Sequence, residues 1–113
     1  MHEMALAQGI VEIVQEHARR DAFTRVRTVR IEIGALSHVD PRAIAFGFDV
    51  VTRGTVAEGA ALAIDRPEGT AYCTDCCKTV AIAAHGDPCP ECGGNKWVLV
   101  GGDEMRVVDL EVS

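Results

Sequence analysis

Two Cys-x-x-Cys pairs constrain this chain more than any other feature of its sequence. Each pair is typical of a knuckle, a tight turn that directs two thiolates at one centre, and two knuckles supply the closed tetrahedral shell of a structural zinc site. Gly93 and Gly94 follow the second pair, and glycine suits a turn that needs positive φ. The spacing therefore predicts a zinc site whose ligands are Cys73, Cys76, Cys89 and Cys92.

Charge and composition disfavour several classes of partner. The 113 residues include 17 acidic and 11 basic side chains, for a formal net charge of −6, which counts against binding to nucleic acid or to an anionic membrane. No apolar run approaches the roughly 20 residues of a membrane span. The first residues, Met-His-Glu-Met, do not have the pattern of a signal peptide. We therefore expect a cytoplasmic protein, in which paired cysteines usually bind metal.

Hydrophobic periodicity predicts two helices and a sheet. Apolar residues at helical spacing predict a first helix over residues 3–20, and Asp40 followed by Pro41 predicts the N-cap and first residue of a second helix that ends near Thr52. Alternating apolar residues predict three strands of one sheet over 26–34, 61–65 and 105–112, and a short further strand over 97–100. The apolar face predicted for the first helix consists of Leu6, Ile10, Ile13, Val14 and His17.

The order of these elements predicts an α+β fold. A three-stranded sheet packed by two helices buries one sheet face, and a four-cysteine, zinc-ribbon-like domain is inserted before the last strand. Breaks at residues 66–69 and at Gly101 and Gly102 mark its borders. We therefore expect an α/β domain over residues 1–68 and 102–113 and a zinc-binding domain over residues 69–101.

The extreme N-terminus offers a second set of metal ligands. The α-amine of Met1, the amide nitrogen of His2 and the His2 ring Nδ1 can all face one cation, and a planar, nitrogen-rich set suits Ni(II) or Cu(II). The amide or the carboxylate of Glu3 can complete the set. From chemistry alone, a histidine at position 2 is more often a surface residue in a fraying terminus than a metal ligand.

The combination of Met1-His2-Glu3, an amphipathic helix, two knuckles and a final strand that starts within Gly-Asp-Glu-Met-Arg (102–106) resembles the HypA/HybF family of hydrogenase maturation proteins, which are nickel metallochaperones. The resemblance covers essentially the whole chain. It implies a nickel-binding α/β domain and a zinc domain, with His2 as the nickel ligand, the Met1 amine and Glu3 beside it, and zinc held by the four cysteines.

The same resemblance implies a function and partners. Family members deliver Ni(II), as cargo, to the large subunit precursor of [NiFe]-hydrogenase together with a HypB-type GTPase, and in some bacteria they also serve urease maturation. Zn(II) would be structural. The resemblance also makes Asp40 a candidate near the nickel, but we favour its interpretation as a helix cap. Cys77 is expected to be a bystander, and His85 is a hypothetical extra ligand at the zinc site.

Three other functions fit parts of the pattern. A zinc-ribbon module that binds nucleic acid should carry basic and aromatic residues around its knuckles, whereas this insert is mainly acidic. A rubredoxin-like electron carrier stays open, because iron also accepts four thiolates in tetrahedral geometry. We find no Ser-His-Asp arrangement, phosphate loop or open mixed-ligand metal site. We therefore interpret the chain as non-enzymatic, with a zinc-ribbon adaptor that transfers no nickel as the alternative.

Overall fold

The helices and strands predicted from periodicity are all present, within one or two residues of their predicted ends. The computed structural model describes residues 2–113, without the side chain of His2. Six strands form two three-stranded sheets with the orders β2-β1-β6 and β4-β3-β5, which confirms the α+β prediction. The elements are α1 (His2–Asp21), β1 (Val26–Ile33), α2 (Pro41–Val51), β2 (Ala61–Asp65), β3 (Gly69–Cys73), β4 (Lys78–Ile82), β5 (Trp97–Gly101) and β6 (Met105–Val112).

The described residues divide into two compact units. The first unit contains the chain up to Ile31, then Val39–Ile64 and Val107–Ser113. The second unit contains Glu32–His38 and Asp65–Arg106, so it includes the segment 69–101 predicted for the zinc domain. Within residues 2–113, no helix is long and apolar enough to cross a membrane.

Helix α1 packs against α2 through a small residue. A Cβ atom built on Gly47 of α2 would lie 3.0 Å from Sδ of Met4 and 3.2 Å from Cβ of Ala7. Glycine at this position therefore lets the two helices approach closely. Glu3 lies in the first turn of α1, and the two arginines of its last turn are Arg19 and Arg20, which is the charge order that the helix dipole favours.

The buried face of α1 differs from the predicted one. Its buried members are Ala7, Ile10, Val11, Val14 and Ala18. Of the predicted face, Ile13 is 43% exposed, while Leu6 and His17 are only half-buried. The close approach at Gly47 places the small residue Ala7 in the interface, and the stripe that shares its face at helical spacing contains Val11, Val14 and Ala18 rather than Ile13.

Helix α2 begins and ends as its sequence indicates. The side chain of Asp40 accepts a hydrogen bond from the backbone N–H of Arg42 at 2.9 Å, which is the geometry of an N-cap. The hydroxyl of Thr52, the C-cap residue, donates to the carbonyl of Phe48 at 2.8 Å. Ile44 and Phe48 are buried.

The second unit is built on an antiparallel sheet in which β3 pairs with β4 on one side and with β5 on the other. Strands β3 and β4 were not predicted, and they form a hairpin whose turn carries the first knuckle. A Cβ atom on Gly69 would overlap the side chain of Leu36, so glycine here makes room for a core residue from outside the sheet. The core of the unit consists of Leu36, Ala71, Cys73, Val80, Ile82 and Cys89.

Candidate metal centre

The turn of the β3–β4 hairpin and the long β4–β5 connection bring the four predicted cysteines together. Cys73 is the last residue of β3, and Cys76 lies in the turn before β4. Cys89 and Cys92 lie in the segment between β4 and β5. Their four Sγ atoms all lie within 4.8 Å of one another, which places four donors around a single centre.

The sulfur–sulfur distances fit a tetrahedral metal shell. Sγ of Cys73 lies 3.7 Å from Sγ of Cys92, and Sγ of Cys76 lies 3.8 Å from Sγ of Cys89. A disulfide requires about 2.0 Å, whereas four sulfurs at roughly 2.3 Å from a tetrahedral zinc ion lie about 3.8 Å apart. Iron(II) in the same shell would need a similar spacing, so the donor set fits tetrahedral thiolate chemistry of either metal.

Burial differs between the members of each knuckle. Cys73 and Cys89, the first cysteine of each pair, are fully buried, whereas Cys76 is half-buried and Cys92 is exposed. One side of the site therefore belongs to the core of the second unit and the other side meets solvent. An arrangement of this kind ties metal binding to the packing of the unit.

The local environment sets different pKa values for the thiols of the cluster. The backbone N–H of Cys76, with that of Asp75, lowers the pKa of Cys73 to about 7. Burial, together with the sulfurs of Cys73 and Cys89, raises the pKa of Cys76 to about 12. Four neighbouring thiolates therefore do not coexist at neutral pH without a cation, and a divalent ion must displace protons when it binds.

Both knuckles contain a left-handed residue directly after their second cysteine. Cys77 has φ of 55° and Gly93 has φ of 74°, so the two residues occupy equivalent positions. The Gly93 N–H also donates to the carbonyl of Cys89, at 2.8 Å. The prediction that the second knuckle uses glycine at positive φ is confirmed. The sequence did not reveal that Cys77 takes the same backbone position in the first knuckle.

Polar contacts connect the two knuckles to each other and to β5. Lys78 donates to Glu91 at 3.2 Å. Because Lys78 follows the first knuckle and Glu91 lies within the second, this ion pair connects the two knuckles. The backbone N–H and the hydroxyl of Thr74 both donate to the carbonyl of Lys96, at 2.9 Å and 2.8 Å. The indole of Trp97 donates to the carbonyl of Asp87 at 2.8 Å. None of these supporting residues was identified from the sequence.

His85 contacts Leu36 and His38 rather than the cysteines. Its Nε2 lies 2.7 Å from the carbonyl oxygen of Leu36, so Nε2 carries the proton and donates. Its ring stacks on that of His38, with centroids 4.9 Å apart and planes 11° apart. His85 does not belong to the four-sulfur cluster, and nothing in its contacts favours the hypothesis that it is an extra zinc ligand.

The predicted nickel ligands are described only in part. The Met1 amine and the His2 side chain lie outside the described residues. Glu3 is half-buried in the first turn of α1, and its carbonyl oxygen would lie 3.8 Å from a Cβ atom on Gly47. The first turn of α1 is thus held against α2. Asp40 acts as the N-cap of α2, as we favoured over a role at the nickel.

Known proteins are similar to this chain in both sequence and fold. A family model described as "Hydrogenase/urease nickel incorporation, metallochaperone, hypA" matches residues 1–112. The hydrogenase maturation factor HypA of Bradyrhizobium sp. (strain ORS 278) is 53% identical over 112 residues, covering 99% of this chain and 99% of the relative. That of Alkalilimnicola ehrlichii is 51% identical over 112 residues, with the same coverage of both chains.

Solved structures support the same assignment at the level of the fold. A structure described as the solution structure of HypA protein aligns with a TM-score of 0.75 at 24% identity, covering 100% of this chain and 97% of the other. The solution structure of the Ni metallochaperone HypA from Helicobacter pylori aligns with a TM-score of 0.70 at 23% identity, covering 97% and 96%. The chain therefore belongs to the HypA family of hydrogenase/urease nickel incorporation metallochaperones.

Proposed function

We propose that this protein binds Ni(II) at its N-terminus and delivers it, together with a HypB-type GTPase, to the large subunit precursor of a [NiFe]-hydrogenase. The observation that carries this proposal is the match of residues 1–112 to a family defined by nickel incorporation. Because the family description also names urease, urease maturation proteins are further candidate partners. We place this activity in the cytoplasm and assign the protein no catalytic step of its own.

In this proposal the zinc is structural. The four sulfurs would hold Zn(II) in a closed tetrahedral shell, as supported by their spacing of 3.7 Å and 3.8 Å. With no position left for substrate, such a shell retains its metal and contributes to folding. The zinc-binding domain would span residues 69–101, and residues 1–68 and 102–113 would form the nickel-binding domain.

The proposed nickel site must release its metal, whereas the zinc site must retain it. A cargo ion must leave, so its ligands should be few, accessible and of nitrogen or oxygen type, which suits the Met1 amine, the His2 imidazole and Glu3. Placing these ligands in another part of the chain from the thiolates keeps the thiolates from trapping nickel. The position of the amine next to His2 also means that any N-terminal extension would disrupt the site.

Metal analysis and Ni(II) titration of untagged protein test the proposal. We expect zinc to remain bound in the parent, in His2→Ala and in the control variant His17→Ala, which removes another imidazole of α1. Only His2→Ala should lose nickel binding. Nickel binding that survives His2→Ala, or nickel that displaces zinc from the cysteines, would contradict the two-site assignment and would favour a zinc-ribbon adaptor. Red protein as purified would indicate iron in the sulfur site.

A further inference from the structure

The first unit contains an open cleft between α1 and β6. Its volume is about 390 Å³, and it is lined by one side of the C-terminal half of α1, by the residue Phe23 and by the edge of β6. Three apolar side chains of this region are substantially exposed: Ile13 at 43%, Val108 at 38% and Val112 at 42%. The cleft is therefore an apolar surface that the fold of the first unit leaves uncovered.

Side-chain contacts show which residues of β6 face the cleft. Asp109 pairs with Arg30 at 3.0 Å, and Glu111 accepts a hydrogen bond from the hydroxyl of Thr28 at 3.1 Å. Thr28 and Arg30 alternate with buried residues of β1, so these two acidic residues lie on the outer face of the sheet. Side chains alternate along a strand, and the neighbouring residues of β6 therefore point to the helix side. These neighbours are Val108, Leu110 and Val112.

Strand β6 is also an edge strand. In the sheet order β2-β1-β6, one side of β6 has no neighbouring strand within the described part of the chain. An edge strand presents unpaired N–H and C=O groups that can pair with another extended segment. An apolar cleft beside an open edge is the arrangement that binds peptides by strand addition, in which backbone hydrogen bonds give affinity and pockets for alternate side chains give specificity.

The charges around the cleft define the occupant. Asp21 lines the cleft, whereas Asp109 and Glu111 lie on the outer face of β6, where Asp109 is paired with Arg30 and Glu111 accepts a hydrogen bond from the hydroxyl of Thr28. Of the two arginines in the last turn of α1, Arg19 pairs with Glu16, and Arg20 donates to Nδ1 of His17 at 2.7 Å and keeps its charge. A basic residue of an added strand beside Glu111 would therefore meet a carboxylate whose contact is with a neutral hydroxyl, and the net charge of −6 also favours a basic segment.

We propose that β6 accepts an extended segment of a partner protein as a fourth strand, with apolar side chains in the cleft alternating with basic residues, of which one lies beside Glu111. This surface shares no residue with either proposed metal site, so the proposal does not depend on nickel transfer. It identifies the kind of segment that a partner must offer, whichever maturation protein carries it.

A second copy of the chain fits this surface poorly. Two copies could pair their β6 strands antiparallel, with residues 108–112 overlapping and both helix layers on the same side of the sheet. In that register, Asp109 of one copy lies opposite Asp109 or Glu111 of the other. Like charges directly opposite each other destabilise a strand pair. A basic segment would replace this repulsion with attraction. The proposed occupant is therefore a segment of a different protein.

Peptide binding to the full-length, untagged protein tests the proposal. The probe is a fluorescent, terminally blocked octapeptide that alternates valine and lysine, and binding is followed by fluorescence anisotropy and by backbone amide shifts. Two control peptides alternate valine with glutamate, or carry N-methyl groups on alternate backbone nitrogens to remove hydrogen bonds. We expect only the valine–lysine peptide to bind, with amide shifts that concentrate in β6 and along α1 residues 13–21.

Variants of the protein locate the site and test its charge. Val108→Glu should weaken binding about tenfold or more, because it places a charge in the apolar cleft, while the matched control Val98→Glu, at an exposed position of β5, should bind as the parent does. Glu111→Lys, which replaces an exposed side chain and removes its hydrogen bond with Thr28, should shift the preference toward the valine–glutamate peptide. Unchanged binding in Val108→Glu, equal binding of the N-methylated peptide, or no binding to the parent would overturn the proposal. Self-association that Val108→Glu abolishes would overturn the choice of partner.

Discussion

The left-handed residue after each second cysteine leads to a prediction that uses the two knuckles as internal controls. Cys77 and Gly93 have φ of 55° and 74°, but only one of them is glycine. A residue with a Cβ atom in this conformation costs about 1–2 kcal/mol, whereas glycine costs roughly 0.4–1 kcal/mol through the greater freedom of the unfolded chain. Replacing Cys77 with Gly should therefore stabilise the zinc-loaded protein by about 0.5 kcal/mol.

The converse substitution should destabilise the second knuckle. A Cβ atom on Gly93 would meet no heavy atom within 4 Å, so the cost of Gly93→Ala comes from the backbone alone. After the reduced freedom of the unfolded chain is subtracted, it should be about 0.5 kcal/mol. Cys77→Val should also destabilise, because branched side chains tolerate this region worst. For a chain of this size, 1 kcal/mol corresponds to a change in Tm of about 4 °C.

Trp97, the single tryptophan of the chain, provides the assay. It packs against the core of the second unit that contains Cys73 and Cys89, so its fluorescence during thermal unfolding with excess zinc reports on this unit. Zinc content should be the same in the parent and in Cys77→Gly. A Cys77→Gly variant that loses zinc or becomes less stable would refute the reasoning and would show that Cys77 binds the metal in place of Cys76.

Three further predictions follow from the same structure. Zinc affinity, measured by chelator competition, should fall at least about 100-fold for each pH unit between pH 8 and 6, because the raised pKa values of Cys76 and Cys92 keep both thiols protonated in the metal-free protein and each must lose its proton to bind zinc. The fall should steepen below the pKa of Cys73, which is about 7, because that thiol then also loses a proton on binding; an affinity independent of pH would contradict this. Gly9→Ala should stabilise α1 by about 1 kcal/mol in denaturant unfolding, because the added Cβ meets nothing within 4 Å and alanine favours a helix interior; a loss of stability would mean that this face of α1 is covered. Lys78→Ala should change stability by less than about 1 kcal/mol in the same assay, because its ion pair with Glu91 is largely exposed; a larger loss would assign Lys78 a role in offsetting the thiolate charge.

Local signals in the sequence were sufficient for most of the fold. Asp40 and Pro41 mark the start of α2, and alternation marks β1, β2 and β6, because capping and side-chain periodicity act within a few neighbouring residues. The cysteine cluster could be predicted for the same reason, since each knuckle is a short turn and the two share one spacing pattern.

Features that depend on contacts distant in sequence could not be predicted. Strands β3 and β4 are five residues each, include Thr, Cys and Lys, and owe their conformation to pairing with each other and with β5. His85 bonds to Leu36, far along the chain, and spacing from the cysteines gave no sign of this. The buried face of α1 is set by its close approach to Gly47, which favours Ala7 over larger apolar residues that hydropathy alone ranks higher.

The two-site account is tested most directly by X-ray absorption at the nickel and zinc edges of one sample of untagged protein loaded with one equivalent of Ni(II). The account predicts zinc surrounded by four sulfurs at about 2.3 Å and nickel surrounded by nitrogen and oxygen only. Sulfur in the nickel shell, together with loss of sulfur around zinc, would show that nickel enters the cysteine cluster and would contradict the account.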